Sequence, residues 1–254
     1  MTASHNILNE IEEYLQKNGD SVAAILFEPI QGAAGFIIPP EGFLASLVEI
    51  AKKYNIVTIC DEIQTGVCRT GSFYYINQIK INPDIILLGK SLAGGYYPLS
   101  AVIAKRKLFE SVDFNKPGFD STFANNLLAL NIANRVIDYI HEENLYKKVA
   151  ETGELFLSEL KKMEKFPFIQ DVDGIGMAFS YRVQSLSGSP KESVKLAKLI
   201  RKQCFSNHLI IQTAGVHGNY MKLAPSLLVT PQEIRNIFNK FNSTLEEVVD
   251  IIAD

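Results

Sequence analysis

The sequence predicts an α/β protein with a mostly parallel sheet, followed by a smaller α+β C-terminal domain. In the first half, the segments VAAILFEPI (22–30) and IVTICDEI (56–63) have the β-branched, apolar composition of strands. Between them, EGFLASLVEIAKKY (41–54) places its apolar residues at helical spacing, namely Phe43, Leu44, Leu47, Val48 and Ala51. A strand, a helix and a second strand in this order are typical of a crossover unit in a parallel sheet.

Two further apolar runs, DIILLGK (84–90) and SAVIAK (100–105), extend the predicted sheet. Because both are apolar throughout, we expect a sheet that is covered on both faces. Two helices are predicted next, at about residues 124–141 and 144–163. We therefore assign residues 1–143 to part of a large domain and residues 144–254 to a small C-terminal domain.

The small domain is predicted from a change of pattern along the chain. It contains the segments GIGMAFSYRV, LIIQTAG and YMKLAPSLLV and a helix near residues 191–206. Thr230, Pro231 and Glu233 then form a capping-box start with proline at the first helical position, for a helix that runs towards Ile251.

The composition is that of an ordinary globular protein and argues against two classes of partner. The chain has 254 residues, of which 47% are hydrophobic and 21% are charged, and its net charge is −3. Because there is no long basic run, we expect neither nucleic acid nor an anionic membrane as a partner. The apolar runs are far shorter than a membrane span and the start lacks the layout of a signal peptide, which predicts a cytoplasmic protein.

The three cysteines lack the spacing of a metal site or a disulfide framework. Cys60, Cys68 and Cys204 form no CxxC pair and show no histidine spacing typical of zinc. We expect buried, reduced thiols and no bound metal.

Ionisable side chains follow three of the predicted strands, at the point where each strand ends. Glu28 closes the first, Asp61 and Glu62 close the second, and Lys90 closes the third. In doubly wound sheets, ligands bind beyond the carboxyl ends of the strands. A single charged residue at such a place is commonly just solvated, but three in succession indicate a candidate active site.

A nucleotide-hydrolase site is one alternative for a strand that ends in two acids. LLGKS (87–91) superficially resembles a phosphate-binding loop, but the motif requires a glycine where this chain has Asp84. The order is also reversed, since the phosphate loop normally precedes the metal-binding acid. The spacing therefore rejects this alternative.

A lysine and a carboxylate at neighbouring strand ends suit pyridoxal 5'-phosphate (PLP). That cofactor needs a lysine for its Schiff base and an acid against its ring nitrogen. The acid keeps the nitrogen protonated, so that the ring can accept electrons from the reacting carbon. Burial and nearby positive charge can lower the pKa of such a lysine until its amine acts as a nucleophile and base.

Four motifs in order carry a resemblance to a known family. They are EPIQGAAGFIIPP, DEIQTGVCRTG, PDIILLGKSLAGGYYPLSAVIA and DSTFANNLLAL. With these motifs the chain resembles the class III (omega-amino acid) aminotransferases of PLP fold type I, from about Asn6 to its C-terminus. The resemblance implies an incomplete large PLP-binding domain, followed by the small domain.

The resemblance also implies a role for each matching residue. Lys90 forms the Schiff base, Asp61 pairs with the pyridine nitrogen, Gln64 lies by the ring hydroxyl, and Glu28 is an active-site glutamate. In DSTF, Ser121 and Thr122 match residues that bind the cofactor phosphate. The threonine that Thr122 matches binds the phosphate of the cofactor in the neighbouring subunit. That role implies a homodimer with shared active sites.

The chain departs from the family pattern at three places. Cys68 occupies a position that is usually glycine, and STFANNLL keeps Asn126 but lacks the usual proline. KLAPSL replaces a segment in which family members that bind an α-carboxylate commonly have arginine. Lys222 offers a point charge there instead of a bidentate fork, so it is either a substrate-binding residue or a solvated lysine at a strand end.

The family's phosphate-binding turn and ring-stacking aromatic residue would precede SVAAILFEP, where this chain has about twenty residues. We therefore expect that a separate chain supplies this part, or that the sequence is a fragment or a remnant.

Two functions stay open. One is a PLP aminotransferase, or its catalytic-lysine part, that moves an amino group between an amine or omega-amino acid and a keto acid or aldehyde by a ping-pong cycle. The other is a non-catalytic truncated homologue that dimerises or binds a partner. Rearrangement within one substrate, as in aminomutases, also stays open, as do the donor and acceptor.

Overall fold

The computed structural model describes residues 2–110, 112–113 and 122–253. These residues form two compact units. The first unit comprises the described residues of Met1–Pro29, Pro39–Val67 and Ser72–Asn144. The second comprises those of Ile30–Ile38, Cys68–Gly71 and Leu145–Asp254, so two short segments of the first half of the chain fold with the second unit. The assignment of residues 1–143 and 144–254 to two functional domains stays a prediction.

The first unit is built on a four-stranded sheet. Its elements are α1 (Thr2–Asn18), β1 (Ala24–Phe27), α2 (Phe43–Lys53), β2 (Val57–Asp61), α3 (Tyr75–Gln78), β3 (Ile85–Leu88), β4 (Ala101–Ala104), α4 (Arg106–Glu110) and α5 (Leu127–Glu142). The strands lie in the order β1-β2-β3-β4. β1, β2 and β3 are parallel, and β4 runs antiparallel to β3. The predicted crossover and the mostly parallel sheet are therefore confirmed.

The two faces of this sheet differ in their cover. On one face, Cys60 of β2 is fully buried in an apolar cluster with Leu44 and Leu47 of α2 and Leu8 of α1. On the other face, Leu26 of β1 is 62% exposed and Val102 of β4 is 60% exposed. The prediction that both faces are covered is wrong for these strands, because α1 and α2 both pack against the Cys60 face.

The second unit is an antiparallel sheet packed with helices. Its elements are α6 (Leu145–Lys161), β5 (Ile169–Ile175), β6 (Ala178–Val183), α7 (Pro190–Ser206), β7 (Gln212–Ala214), β8 (Tyr220–Leu223) and α8 (Pro231–Ala253). The strand order is β5-β6-β8-β7, with every pair antiparallel. Phe156 of α6 lies at the core, with ring centroids 4.4 Å from Phe179 and 4.8 Å from Phe238. The capping box of α8 is confirmed, since the Thr230 N–H donates to Glu233 Oε2 at 2.8 Å and the Glu233 N–H donates to Thr230 Oγ1 at 3.2 Å.

The segments Ile30–Ile38 and Cys68–Gly71 are tied to this second sheet by specific contacts. The Gly215 N–H donates to the Ala33 carbonyl at 3.2 Å, and a Cβ at Gly35 would lie 3.0 Å from the Tyr220 side chain. Arg69 Nη1 donates to the carbonyls of Met177 at 3.1 Å and Pro225 at 2.6 Å. These bonds explain why two segments from the first half of the sequence belong to the second unit.

All three cysteines are buried and none is paired with another, as predicted. Burial raises the pKa of the Cys68 thiol to about 12, which keeps it protonated at neutral pH. Within the described ranges, no helix is both long and apolar enough to cross a membrane.

Cys68 has a left-handed backbone conformation, with φ of 71°. This explains why glycine is usual at its position in the resembling family, because a Cβ in this conformation costs about 1–2 kcal/mol. We expect Cys68→Gly to be more stable than Cys68→Ala by about 1 kcal/mol, since both lose the buried sulfur and only glycine relieves the backbone. Urea unfolding of the two variants measures the difference. Equal stability, or a more stable alanine variant, would show that the backbone at this position is not strained.

Candidate active site

Three strand ends lie side by side at one edge of the first sheet. The register pairs Phe27 of β1 with Cys60 of β2, and Asp61 of β2 with Leu87 of β3. Glu28 directly follows β1, Asp61 ends β2, and Lys90 follows β3 after one glycine. The structure thus brings the predicted Glu28, Asp61 and Lys90 to the carboxyl ends of three consecutive parallel strands, which is where α/β sheets bind ligands.

Lys90 begins a 3-10 turn, Lys90–Ala93, and its side chain is exposed. Its φ is 42°, a left-handed conformation that is uncommon for a residue with a Cβ and is concentrated at functional sites. Gly89 before it is buried and extended, and a Cβ there would lie 3.4 Å from Ile63. No carboxylate in the described part of the chain forms an ion pair with Lys90 Nζ. Lys90 therefore presents its amino group at this edge of the sheet without a carboxylate partner among the described residues.

Asp61 faces away from the buried Cys60, because successive side chains of a strand point to opposite faces. Its Oδ1 accepts a hydrogen bond from the Ile63 N–H at 2.9 Å, which fixes the carboxylate against the turn that follows β2. That turn contains the half-buried Gln64 and closes through the Gly66 N–H, which donates to the Glu62 carbonyl at 2.9 Å. A Cβ at Gly66 would lie 2.8 Å from the same carbonyl oxygen, so only glycine fits there.

Glu62 is a strand-end acid that the sequence analysis named without assigning it a role. Its side chain is fully buried, its Oε1 accepts from the Ile76 N–H at 2.9 Å, and its Oε2 accepts from the Thr65 hydroxyl. Burial raises the pKa of the carboxyl, although these hydrogen bonds oppose the shift. The alternation of β2 could have revealed it, since Cys60 points inward, Asp61 outward and the next residue inward again.

The structure also shows where the remaining predicted residues of the first unit lie. Glu28 is half-buried and Thr122 is exposed, whereas Ser121 lies outside the described residues. Asn126, which the sequence keeps from the family pattern, caps α5, because its Oδ1 accepts from the Ala129 N–H at 3.0 Å.

Lys222 belongs to the second unit and lies on β8. Its side chain is half-buried, and its Nζ lies 5.2 Å from the centroid of the Phe36 ring. At this distance the ring face attracts the ammonium group. Lys222 therefore has an aromatic contact within the second unit, and its role towards a substrate stays a prediction.

Comparison with known proteins identifies the family of this chain. The family model described as Aminotransferase class-III matches residues 2–245. The chain belongs to the class III aminotransferases. Members of this family depend on PLP, and their structures have PLP fold type I.

Individual relatives and solved structures are similar along almost the whole chain. The mitochondrial ornithine aminotransferase of Arabidopsis thaliana is 34% identical over 241 residues, which are 94% of this chain and 49% of that protein. The ornithine aminotransferase of Oceanobacillus iheyensis is 35% identical, over 91% of this chain and 54% of that protein. The crystal structure of acetylornithine aminotransferase from Elizabethkingia anophelis is 36% identical with a TM-score of 0.82, and covers 94% of this chain and 58% of that one.

The ornithine aminotransferase structure from Plasmodium yoelii is 32% identical with a TM-score of 0.84, and covers 95% of this chain and 61% of that one. This chain therefore spans about half the length of the curated relatives it matches. None of these relatives supports the expectation of a separate chain that supplies the N-terminal part.

Proposed function

We propose that this class III aminotransferase binds PLP at the edge of its first sheet and transfers an amino group between a small amine or omega-amino acid and a keto acid or aldehyde. The observation that carries the proposal is the register of β1, β2 and β3, which brings Glu28, Asp61 and Lys90 to one sheet edge. An amine and a carboxylate at neighbouring parallel strand ends are the two groups that a pyridoxal ring requires.

The residues present fit the cofactor. Lys90 offers an exposed amine that no described carboxylate holds in an ion pair, as covalent attachment to an aldehyde requires. Asp61 uses Oδ1 for the Ile63 N–H, which leaves the carboxylate oriented for a ring nitrogen. Gln64 lies in the turn directly after it, where its amide would meet the ring hydroxyl. PLP supplies an aldehyde that condenses with amines and a ring that accepts the electron pair of a broken bond.

Each of the three strand-end residues would then have a role in the reaction. Lys90 Nζ would hold the cofactor covalently, and its amine would also serve as the base that moves a proton at the substrate carbon. Asp61 would keep the ring nitrogen protonated, and Glu28, on the adjoining strand end, would be an active-site carboxylate. Because the product of the donor would leave before the acceptor binds at the same site, the cycle would be of the ping-pong type.

We extend the proposal to the substrates on the names of the relatives. Several similar proteins are named ornithine or acetylornithine aminotransferases, which supports a donor that carries a terminal amine and a carboxylate. Lys222 would then contact a substrate carboxylate as a point charge, which orients it less strictly than an arginine fork does. The ring of Phe36 supports this task because it restricts the lysine side chain.

We also propose a homodimer in the cytoplasm. Ser121 and Thr122 would bind the phosphate of the partner's cofactor, as the family resemblance implies. The apolar side chains just after them support an interface, since Phe123 is 72%, Leu127 75% and Leu128 61% exposed. The three buried, unpaired cysteines support a reducing compartment.

The test is covalent capture of PLP at Lys90. We expect the purified chain to show the absorption band of bound PLP and, after borohydride reduction, to carry the cofactor on the peptide that contains Lys90. Lys90→Ala is expected to abolish the label. Lys80→Ala is the matched control, because Lys80 is also exposed and also has a positive φ, 53° against 42° for Lys90.

Two results would contradict the proposal. A label on another lysine, or one that survives in Lys90→Ala, would remove Lys90 from its role. If the wild-type chain shows neither band nor label, the alternative of a non-catalytic homologue that binds a partner is favoured instead.

A further inference from the structure

We propose that Glu62 is a positioning residue, which fixes Asp61 and Gln64 in the orientation that the pyridine ring requires. The inference deepens the proposed function and rests on it, because the orientation matters only if PLP binds there. It concerns the second acid of the two that end β2, whose side chain points away from the proposed ring.

Glu62 holds both ends of a single turn. Its own N–H donates to the Leu87 carbonyl of β3 at 3.0 Å, and its carbonyl accepts from the Gly66 N–H at 2.9 Å. Its carboxylate also accepts from the Thr65 hydroxyl of the same turn. The backbone and the side chain of one residue therefore define the path of residues 62–66.

The Glu62 carboxylate also attaches this turn to a distant segment. Oε1 accepts from the Ile76 N–H at 2.9 Å, and the backbone of Tyr75 donates to the carboxylate as well. Ile76 packs in the apolar cluster beneath the sheet, together with Cys60. The turn is thus anchored to the core of the first unit through a fully buried group.

The anchored turn contains the residues that orient the proposed site. The Asp61 carboxylate is oriented by the Ile63 N–H at 2.9 Å, and Ile63 lies within the turn that Glu62 holds. Gln64 lies in the same turn. If the Glu62 side chain is removed, buried donors at Thr65, Tyr75 and Ile76 lose their acceptor, and the turn has to rearrange to satisfy them. The Ile63 N–H moves with the turn, and the Asp61 carboxylate loses the hydrogen bond that orients it.

The first experiment needs no cofactor. Amide hydrogen exchange by NMR would be measured for the wild-type chain, Glu62→Ala and Glu62→Gln, relative to the Val183 amide, which donates to the Asn219 carbonyl in the second unit. We expect Glu62→Ala to accelerate exchange at Ile63 by about tenfold or more, because this amide reports directly on the Asp61 carboxylate. Glu62→Gln keeps the shape and an acceptor oxygen, and should stay within about threefold.

Asp84→Ala is the matched control. Asp84 also accepts a backbone hydrogen bond from β2, since its Oδ2 accepts from the Thr58 N–H at 2.9 Å, but it precedes β3 at the opposite end of the strands. This variant should accelerate exchange at Thr58 and leave Ile63 unchanged. If Ile63 in Glu62→Ala remains within about threefold of the wild type, the inference is overturned.

The second experiment separates positioning from general stability. The dissociation constants of PLP and of its 1-deaza analogue, which lacks the ring nitrogen, would be compared for the same variants. The wild type should prefer PLP by about tenfold or more, and Glu62→Ala should reduce this preference to within about threefold, whereas a loss of stability alone would weaken both ligands equally. A preference that Glu62→Ala retains would overturn the inference. If the wild-type chain binds neither compound, the proposed function fails, and exchange at Ile63 alone decides whether Glu62 holds Asp61.

Discussion

Replacing Asp61 with asparagine is expected to slow amino-group transfer on the order of a hundredfold to a thousandfold, while the fold is kept. The reason is electrostatic. A carboxylate about 4 Å from a protonated ring nitrogen contributes about 4 kcal/mol at an effective dielectric constant of 20, and partial exposure reduces this value. Asparagine keeps the Oδ1 acceptor for the Ile63 N–H, so the geometry of the turn remains and only the charge is lost.

The measurement is the first-order rate at which the PLP-loaded chain reacts with a terminal-amine donor such as ornithine, followed by stopped-flow absorbance. Asp84→Asn is the control, because it makes the same chemical change at the opposite end of the neighbouring strand. We expect that variant to react at close to the wild-type rate. A rate for Asp61→Asn within about threefold of the wild type would show that Asp61 does not contact the ring nitrogen.

Local sequence patterns predicted several elements of both units. The helical spacing of EGFLASLVEIAKKY and the β-branched runs on either side gave β1, α2 and β2 in their observed order. The capping box at Thr230 placed the start of α8 because both of its hydrogen bonds are made within four residues. The strand-end position of Lys90 followed in the same way, since strand direction alone decides which end of the sheet it occupies.

Features that depend on distant contacts could not be predicted in this way. Nothing near Arg69 in sequence indicates that its side chain bonds to the carbonyls of Met177 and Pro225, more than a hundred residues away. The anchoring of Glu62 at Ile76 is likewise a tertiary contact, although strand alternation could have indicated its burial. The apolar composition of β3 and β4 indicated two covered faces, yet Leu26 of β1 and Val102 of β4 are exposed, because composition records the apolar character of a strand and not which element packs on it.

Arg69 is expected to contribute more to the stability of the second unit than any salt bridge on the surface. Its guanidinium is largely buried and donates to two carbonyls, and burial lowers its pKa. No described carboxylate pairs with it, so its hydrogen bonds alone compensate for the buried charge. We expect Arg69→Ala to lower the free energy of unfolding by about 3 kcal/mol, because both carbonyls lose their donor and a cavity remains.

Arg69→Met separates the two causes of that loss. Methionine fills a similar length without a charge, so it removes the cost of burying the guanidinium but still leaves two carbonyls without their donor, and we expect a loss of about 2 kcal/mol. Arg135→Ala is the control, because Arg135 forms an ion pair with Glu142 at 2.8 Å and its side chain is 62% exposed. Such a surface pair contributes about 0–1 kcal/mol. The measurement is urea unfolding followed by far-UV circular dichroism. If Arg69→Ala lost no more stability than Arg135→Ala, the hydrogen bonds from Arg69 to the two carbonyls would not be what holds the Cys68–Gly71 segment in the second unit. The backbone packing of that segment would then have to hold it.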